Sequence, residues 1–519
     1  MNRDDMFRRA ADRRGPWDVV VVGGGATGAG VAVDAAVRGY AVLLLERSDF
    51  GSGTSSRSTK LAHGGVRYLR QGHVGLVLDA LRERGRLRRN APHLVHDLAF
   101  VLPCYRRRDV LMYGVGLKAY DLLARSERFG RSVLIGPAGV RERLPTVNPA
   151  GLRGGVVYHD GQFDDSRLLV HLVMTAADLG AVVLNHAPVT GITRDASGRV
   201  TGVTATDAET GTELRVAAKV VVNAAGPFCD DLRRMADPRA VPLVAASQGS
   251  HVVLDRSFLP TDHALLIPET PDGRVLFAIP WHGHTLVGTT DVGIPAAPFD
   301  PIPTAEEIDF ILETAGRYLA KQPERSDVLS TFAGIRPLVK AGGGNTASLS
   351  RDHVIRTDLQ GLLTITGGKW TTYRRMAEDC VDRAAEMADL PRRECPTREL
   401  RLHGYDPAAV PDPLGVYGTD ARAIRRLREE EPELAAPLHP ALPNTGAEVV
   451  WAARHEMART VEDVLARRTR ALFLNADAAL ASAPRVASLL ARELGRDAGW
   501  VEQQVQTFAK LARTYRPPE

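Results

Sequence analysis

The sequence predicts an α/β fold in three parts: a strand–turn–helix unit that opens a parallel sheet, an antiparallel sheet, and a helical C-terminal region. Three observations predict it. Trp17 to Val22 is a short β-branched run that ends in Gly23-Gly24-Gly25-Ala26-Thr27-Gly28. Between Val241 and Asp291, apolar runs alternate with turns such as Pro271-Asp272-Gly273 and His282-Gly283. Beyond Arg401, Ala, Arg, Leu and Glu recur at helical spacing.

Gly23, Gly25 and Gly28 have the G-x-G-x-x-G spacing of a Rossmann-type dinucleotide site. The first glycine permits a tight turn, the second lets backbone N–H groups approach a pyrophosphate, and the third lets helix and strand pack closely. Thr27 to Arg38 reads as the helix, with Val31, Ala32, Ala35 and Ala36 inward. Its N-terminus, at Ala26 and Thr27, aims N–H groups and the positive end of its dipole at the pyrophosphate. The strand Ala41 to Leu45 follows and ends in Glu46, placed to accept ribose hydroxyls, with Arg47 beside it. Strand, glycines, helix, second strand and acid occur in order, and that context makes the fingerprint specific.

Composition limits the rest. A chain of 519 residues holds two to four domains, and 44% hydrophobic residues suits a globular protein. With 66 basic and 62 acidic residues, the net charge of +4 does not imply nucleic acid. Arg82 to Arg89 and Arg106 to Arg108 are locally basic, and read either as solvated faces or as contacts for phosphate-bearing lipids. Arg3, Arg8, Arg9, Arg13 and Arg14 around Met6 and Phe7 read as a basic amphipathic anchor or as a frayed terminus. Cys104, Cys229, Cys380 and Cys395 form no C-x-x-C, so no metal site or redox pair is expected. With no secretory signal, a reducing cytoplasm fits. No apolar run reaches the roughly eighteen residues of a membrane-spanning helix.

After Glu46 comes a polar loop, Thr54-Ser55-Ser56-Arg57-Ser58-Thr59-Lys60-Leu61-Ala62-His63-Gly64-Gly65-Val66-Arg67-Tyr68-Leu69. Hydroxyls, glycines and cations directly behind a nucleotide unit suit a loop laid along a diphosphate and an isoalloxazine ring. A Ser/Gly linker seldom gathers His, Arg and Tyr so closely. Val74 to Arg89 and Val110 to Ala124 read as helices. Gly114-Val115-Gly116 in the second lacks the strand and acid of a true fingerprint.

Phe163 to Ser166 caps a helix from Arg167 to Leu179. Strands follow near Ala181 to Leu184, Val189 to Thr193, Val200 to Thr206 and Lys219 to Asn223, the last running into the small-residue turn Ala224-Ala225-Gly226-Pro227. The antiparallel strands are His251 to Leu254, His263 to Pro268, Arg274 to Trp281 and His284 to Thr289. Thr304 and Glu307 have capping-box spacing and open a helix through Lys321. Leu362 to Thr366 is a strand that enters Gly367-Gly368-Lys369-Trp370-Thr371 and a further helix, a second helix dipole aimed at an electron-rich group. With no second complete fingerprint, an organic substrate and not NAD(P)H is the expected reductant. Ala447 to Ala466 and Arg485 to Tyr515 read as C-terminal helices.

Thr54 to Leu69, Asn223 to Pro227, Gly249-Ser250-His251, Gly288-Thr289-Thr290-Asp291, Gly334-Ile335-Arg336-Pro337-Leu338, Gly368 to Arg374 and Thr460 to Arg470 together resemble FAD-dependent glycerol-3-phosphate dehydrogenases. The match runs over nearly the whole chain. It implies a glutathione-reductase-like FAD-binding domain from 16–100, 150–240 and 330–390, a substrate-binding cap from 101–149 and 241–329, and a helical C-terminal domain from 400–519. FAD contacts are implied for Gly23, Gly25, Ala26, Thr27, Gly28, Glu46, Arg47, Thr54, Ser55, Ser56, Ser58, Lys60, Leu61, His63, Val189, Ala224, Ala225, Gly226, Gly334, Gly368, Lys369, Trp370 and Thr371. Gln248 and Ala225 depart from the family, where Lys and Thr are usual.

The resemblance further implies oxidation of sn-glycerol 3-phosphate to dihydroxyacetone phosphate, with hydride transfer to flavin N5. Arg336, Arg67 and Lys369 would surround the phosphate and the nascent carbonyl. Guanidinium forks match phosphate oxygens, and Lys adds a point charge. His63 is the candidate base, because imidazole titrates near neutral pH, with His251 as competitor and Tyr68 orienting the substrate. Electrons would pass to a membrane quinone, from a chain attached through anionic lipid to the inner face of the cytoplasmic membrane. A homodimer is compatible with the sequence. Open alternatives are an oxidase that forms peroxide, a flavin-binding module without turnover, and an amino-acid oxidase on the same fold.

Overall fold

The computed structural model describes residues 1–65, 74–124, 127–271, 273–340, 353–408 and 413–518. It opens with α1 (Arg3–Ala11), β1 (Trp17–Val22), α2 (Ala26–Val37) and β2 (Val42–Leu45). Val19, Val20, Val21, Leu43 and Leu44 have no exposed surface, the signature of parallel strands covered on both faces. Each such side chain contributes about 1.5–3 kcal/mol relative to exposure.

Next come β3 (Leu61–Ala62), α3 (Val74–Asn90), β4 (Val95–Cys104), α4 (Arg107–Ala124), β5 (Val133–Ile135) and β6 (Gly154–Phe163). Asp164 caps α5 (Asp165–Asp178), its side chain accepting from the Arg167 N–H. The chain returns through β7 (Val182–Leu184), β8 (Val189–Arg194), β9 (Val200–Thr206), β10 (Glu213–Asn223) and α6 (Cys229–Ala236).

A second set follows: β11 (Val244–Asp255), β12 (Ala264–Ile267), β13 (Leu276–Trp281), β14 (His284–Gly288), β15 (Val292–Ile294), α7 (Ala305–Gly316) and β16 (Val328–Val339). The capping box of Thr304 and Glu307 starts α7. Then β17 (His353–Leu359), β18 (Leu362–Gly367) and α8 (Tyr373–Met387) rejoin the first sheet. The C-terminal region carries α9 (Gly446–His455), α10 (Ala476–Leu494) and α11 (Ala498–Arg513). One long helix from 447 to 466 does not form. The chain turns at Met457, with φ 57, and Gly495 at φ 64 likewise separates α10 from α11.

The first sheet runs β17-β18-β10-β1-β2-β7, with β8 and β9 hanging from β10. β18 to β7 are parallel. Strand order reverses around β1, flanked by β10 and β2, and such a switch opens a ligand crevice at the strands' carboxyl ends. The second sheet runs β15-β11-β14-β13-β12-β4-β6-β3, with β16 on β11 and β5 on β6. Its pairings are antiparallel except β12 with β4, through Ala264 opposite Phe100. Strands β6 and β16, expected in the nucleotide unit, hydrogen-bond into this second sheet. Their apolar patterns suit either sheet, and only long-range pairing decides.

The basic stretches divide sharply. α1 is neither an anchor nor frayed: Arg3 is buried and ion-paired to Asp207 at 2.7 Å, and Met6 and Ala10 pack into the core. Along α3, Arg84 pairs with Asp160 at 2.7 Å, Arg89 with Glu127 at 2.6 Å, and Arg86 with Glu83. Arg106, Arg107 and Arg108 at the start of α4 stay exposed. Among the described residues, no helix is long and apolar enough to cross a membrane.

Candidate functional site

A cavity of about 240 Å³ opens at the carboxyl ends of β1, β2 and β10. One end is walled by Gly23, Gly25, Ala26, Thr27, Glu46, Arg47, Val189, Ala224, Ala225 and Gly226. The same wall continues through Thr54, Ser55, Pro337, Gly367, Gly368, Lys369 and Trp370.

The glycine end is built to receive a dinucleotide. Gly23 sits at φ +113, where a Cβ would stand 2.6 Å from Ala224 O. A Cβ on Gly28 would stand 1.9 Å from Gly23 O, so this glycine permits helix–strand contact and does not wall the cavity. Gly25 gives α2 no side-chain cap, and Ser55 Oγ accepts from the Ala26 N–H at 2.9 Å. The helix start therefore faces the cavity with its dipole. Glu46 accepts the Gly24 N–H at 2.6 Å and the Ser48 N–H at 2.9 Å. Burial raises its carboxyl, and these N–H groups act against that rise. Arg47 lies over both Phe228 and Phe299, 4.4 and 4.1 Å from the ring centroids. Glycine cradle, helix N-terminus and acid all fit a flavin dinucleotide.

At the far end, distant segments meet. Thr54 Oγ1 donates to Ile335 O at 2.6 Å, and Trp370 Nε1 donates to Ser55 O at 2.8 Å. Thr371 Oγ1 reaches His63 O at 3.5 Å, so the His63 backbone lies beside the Lys369–Thr371 turn, while half-buried His63 is not among the residues of the cavity wall. Gly367 and Gly368, both at positive φ, shape that turn before α8. Lys369 stands in the wall. Arg336 adjoins the wall residue Pro337 on β16. Its guanidinium donates to Thr290 O at 3.0 Å and Thr289 Oγ1 at 3.2 Å, and pairs with Asp291 at 3.2 Å.

Several expected contacts lie elsewhere. Ser58 is turned onto Asp165, its Oγ 2.7 Å from Oδ2, and Lys60 is fully buried on the same carboxylate. Ser56 and Thr371 are buried outside the wall, and Leu61 is consumed by β3 pairing with Gln162. A Cβ on Gly334 would meet Arg57 O at 2.6 Å, so this glycine seats β16 on the loop. His251 is 2% exposed, stacked on Phe332 at 4.7 Å and bonded through Nε2 to Thr59 Oγ1 at 2.9 Å. Burial, then Lys60 and Arg336, hold its imidazole well below the usual range, hence neutral. It supports the site and is not part of the cavity wall. Arg67 and Tyr68 lie outside the described residues.

Residues 18–374 match the family model for FAD dependent oxidoreductases, and 361–501 match the C-terminal domain of alpha-glycerophosphate oxidase. The mitochondrial glycerol-3-phosphate dehydrogenase SDP6 of Arabidopsis thaliana is 43% identical, over 98% of this chain and 87% of its own length. The chain belongs to the FAD-dependent glycerol-3-phosphate dehydrogenase family. The mitochondrial enzyme of Homo sapiens is 39% identical over 98% of this chain and 76% of its own. The glycerol-3-phosphate dehydrogenase from Bacillus halodurans, solved in complex with FAD, superposes with TM-score 0.81 at 30% identity, covering 99% of this chain and 98% of that one. The L-alpha-glycerophosphate oxidase of Mycoplasma pneumoniae shares the fold, with TM-score 0.57 at 17% identity over 74% of this chain and 98% of its own. FAD is the cofactor.

In this dehydrogenase Gln248 keeps a buried bond, donating to Glu307 Oε2 at 2.7 Å. Sequence reasoning missed Phe228, Phe299 and Pro337 in the wall. Phe228 was within reach, two residues past Gly226. Phe299 arrives from a Pro-rich loop beyond β15 and carries no local signal.

Proposed function

We propose that this chain oxidises sn-glycerol 3-phosphate to dihydroxyacetone phosphate and passes the electrons to a membrane quinone. The observation that supports it is that Lys369 walls a cavity that fits FAD, with the β16 segment of Arg336 tied to the wall residue Thr54 and the His63 backbone beside the Lys369–Thr371 turn. FAD, held by the glycine cradle, Glu46 and the Thr54–Ser55 turn, would supply the hydride acceptor for oxidation at the substrate's C2. His63 accepts the hydroxyl proton, a role that imidazole fills near neutral pH. Lys369 and Arg336, with Arg67, bind the phosphate and polarise the forming carbonyl. Thr289, Thr290 and Asp291 hold the Arg336 fork in one orientation, which lowers the entropy lost on binding.

Docking on anionic lipid at the inner face of the cytoplasmic membrane belongs to the same reading. On α4, Leu122, Leu111, Val115 and Met112 are 77, 66, 63 and 52% exposed, and Val133 and Leu134 of β5 add to the patch. Arg106, Arg107, Lys118 and Arg131 are exposed around it. Apolar side chains rimmed by cations suit a monotopic contact with lipid headgroups.

The acceptor is tested by reducing the holoenzyme with substrate and adding a soluble quinone or air. Fast reoxidation by quinone supports the proposal; fast reoxidation by air with peroxide formed makes it an oxidase. In flotation assays the chain should follow vesicles containing phosphatidylglycerol, and a Leu111→Ser, Val115→Ser, Leu122→Ser variant should not. Equal flotation of both removes α4 from the contact.

A further inference from the structure

Behind the Thr54–Ser56 turn lies a buried charge cluster outside the cavity wall. Lys60 has no exposed surface and sits at φ 62, a left-handed conformation that a side-chain-bearing residue keeps only when its surroundings hold it. Its Nζ donates to Ser56 O and to Asp165 Oδ2, each at 2.7 Å. Asp165 Oδ2 also accepts the Ser58 N–H at 3.0 Å and Oγ at 2.7 Å. From the C-terminal region, Arg470 donates to Ser56 O at 2.8 Å and to Asp165 Oδ1 at 3.2 Å. The loop between a cavity-wall residue, Ser55, and the His251 ligand, Thr59, is thus clamped from α5 and from the C-terminal region. Phe332 joins the two sides, its ring 5.1 Å from Lys60 Nζ and stacked on His251.

We propose that Lys60, clamped by Asp165 and Arg470, is a positioning residue for substrate oxidation: it fixes Thr59 on His251 and the Thr54–Ser56 turn on the flavin site. This rests on the proposed oxidation of glycerol 3-phosphate. A charged ammonium here also disfavours an imidazolium on His251, keeping that ring a neutral partner for Thr59. Burial lowers Lys60; the carboxylates of Asp165 and Asp164 oppose this and Arg470 reinforces it, leaving the amine near 7. His282 faces the cluster through Asp164, and Arg336 faces His251. Clamping is thereby set to respond to pH in the neutral range. The C-terminal region acquires a role in chemistry through Arg470, without touching the cavity.

The test compares holoenzymes of wild type, Lys60→Met and Thr59→Val. Flavin occupancy and visible spectrum are recorded first, then anaerobic flavin reduction by sn-glycerol 3-phosphate in stopped flow from about pH 5.5 to about 9. Lys60→Met should keep its flavin and its substrate half-saturation within about threefold, lose roughly tenfold or more in limiting reduction rate, and lose the wild-type pH dependence near neutrality. Thr59→Val leaves the charges in place and should show the rate loss with the pH dependence retained. Wild-type rates and pH profile in Lys60→Met overturn the proposal. If Lys60→Met does not fold, Thr59→Val decides: a wild-type reduction rate overturns it. A wild-type flavin that glycerol 3-phosphate does not reduce refutes the substrate reading instead, and is seen before any variant is made.

Discussion

The two ends of the cavity are built in different ways. The glycine end rests on one continuous stretch, β1 through Glu46, which Val189 and Ala224 to Gly226 close from other strands. The proposed reacting end draws on His63, Arg336 and Lys369, residues hundreds of positions apart at the extremes and on segments joined by hydrogen bonds. Buried ion pairs tie the C-terminal region to the rest of the fold: Asp49 receives Arg467 at 2.6 Å and Arg468 at 2.6 Å, while Arg167 pairs with Glu456 at 2.6 Å. One end is set by local geometry and holds the cofactor. The other depends on the whole fold and, in the proposed function, selects the substrate.

Breaking each end should give different defects. The largest is expected from Gly28→Val, because a Cβ 1.9 Å from Gly23 O forces α2 off β1. The purified variant should carry no flavin or fail to fold, read by its visible spectrum; a yellow, stable variant would contradict the account. Arg468→Met should come next. It leaves Asp49, which burial would raise and Arg468 holds down, with one fewer cation, at a cost of about 3–5 kcal/mol in denaturant unfolding. Unchanged unfolding would mean that the network is slack.

Arg336→Ala should spare flavin binding and cost about 1.5–3 kcal/mol of transition-state stabilisation, roughly tenfold to over a hundredfold in kcat/KM. Intact kinetics would remove Arg336 from the reacting end. The smallest effect concerns His403, which ties the C-terminal region to α5. Burial alone would lower its pKa, but Asp178 at 2.6 Å and Asp420 at 2.9 Å raise it to about 9. A raised folded pKa gives stability that is complete below about 6.5 and is lost as pH climbs through about 9, of the order of 1–2 kcal/mol after solvent screening. His403→Gln should flatten that part of the Tm-against-pH curve. Parallel curves for variant and wild type would show that the imidazolium contributes nothing there.

The same division governs what could be read in the sequence. β1, its glycines, α2 and Glu46 were legible because strand period, turn residues and acid are local signals, and the Asp164 and Thr304 caps were legible for the same reason. The placement of β6 and β16 in the second sheet was not, since an apolar strand does not name its partner. Lys60, Ser58 and Ser56 lie in a loop that reaches the cavity wall at Thr54 and Ser55, yet their side chains or carbonyls turn to Asp165 and Arg470, which sequence does not connect. Charge misled in α1, because the buried partner of Arg3 is Asp207. The α4 cations differ in being exposed beside exposed Leu111, Val115 and Leu122, a combination that only the fold displays.

In the proposed function the reacting end oxidises the C2 alcohol of sn-glycerol 3-phosphate while the glycine end holds FAD. Anaerobic titration of the yellow holoenzyme tests it most directly, with sn-glycerol 3-phosphate set against glycerol. The phosphate ester should bleach the flavin with one equivalent per site, and glycerol, which gives Lys369 and Arg336 no phosphate to bind, should bleach it far less at the same concentration. A flavin that stays oxidised with the ester, or that glycerol reduces as readily, would contradict it.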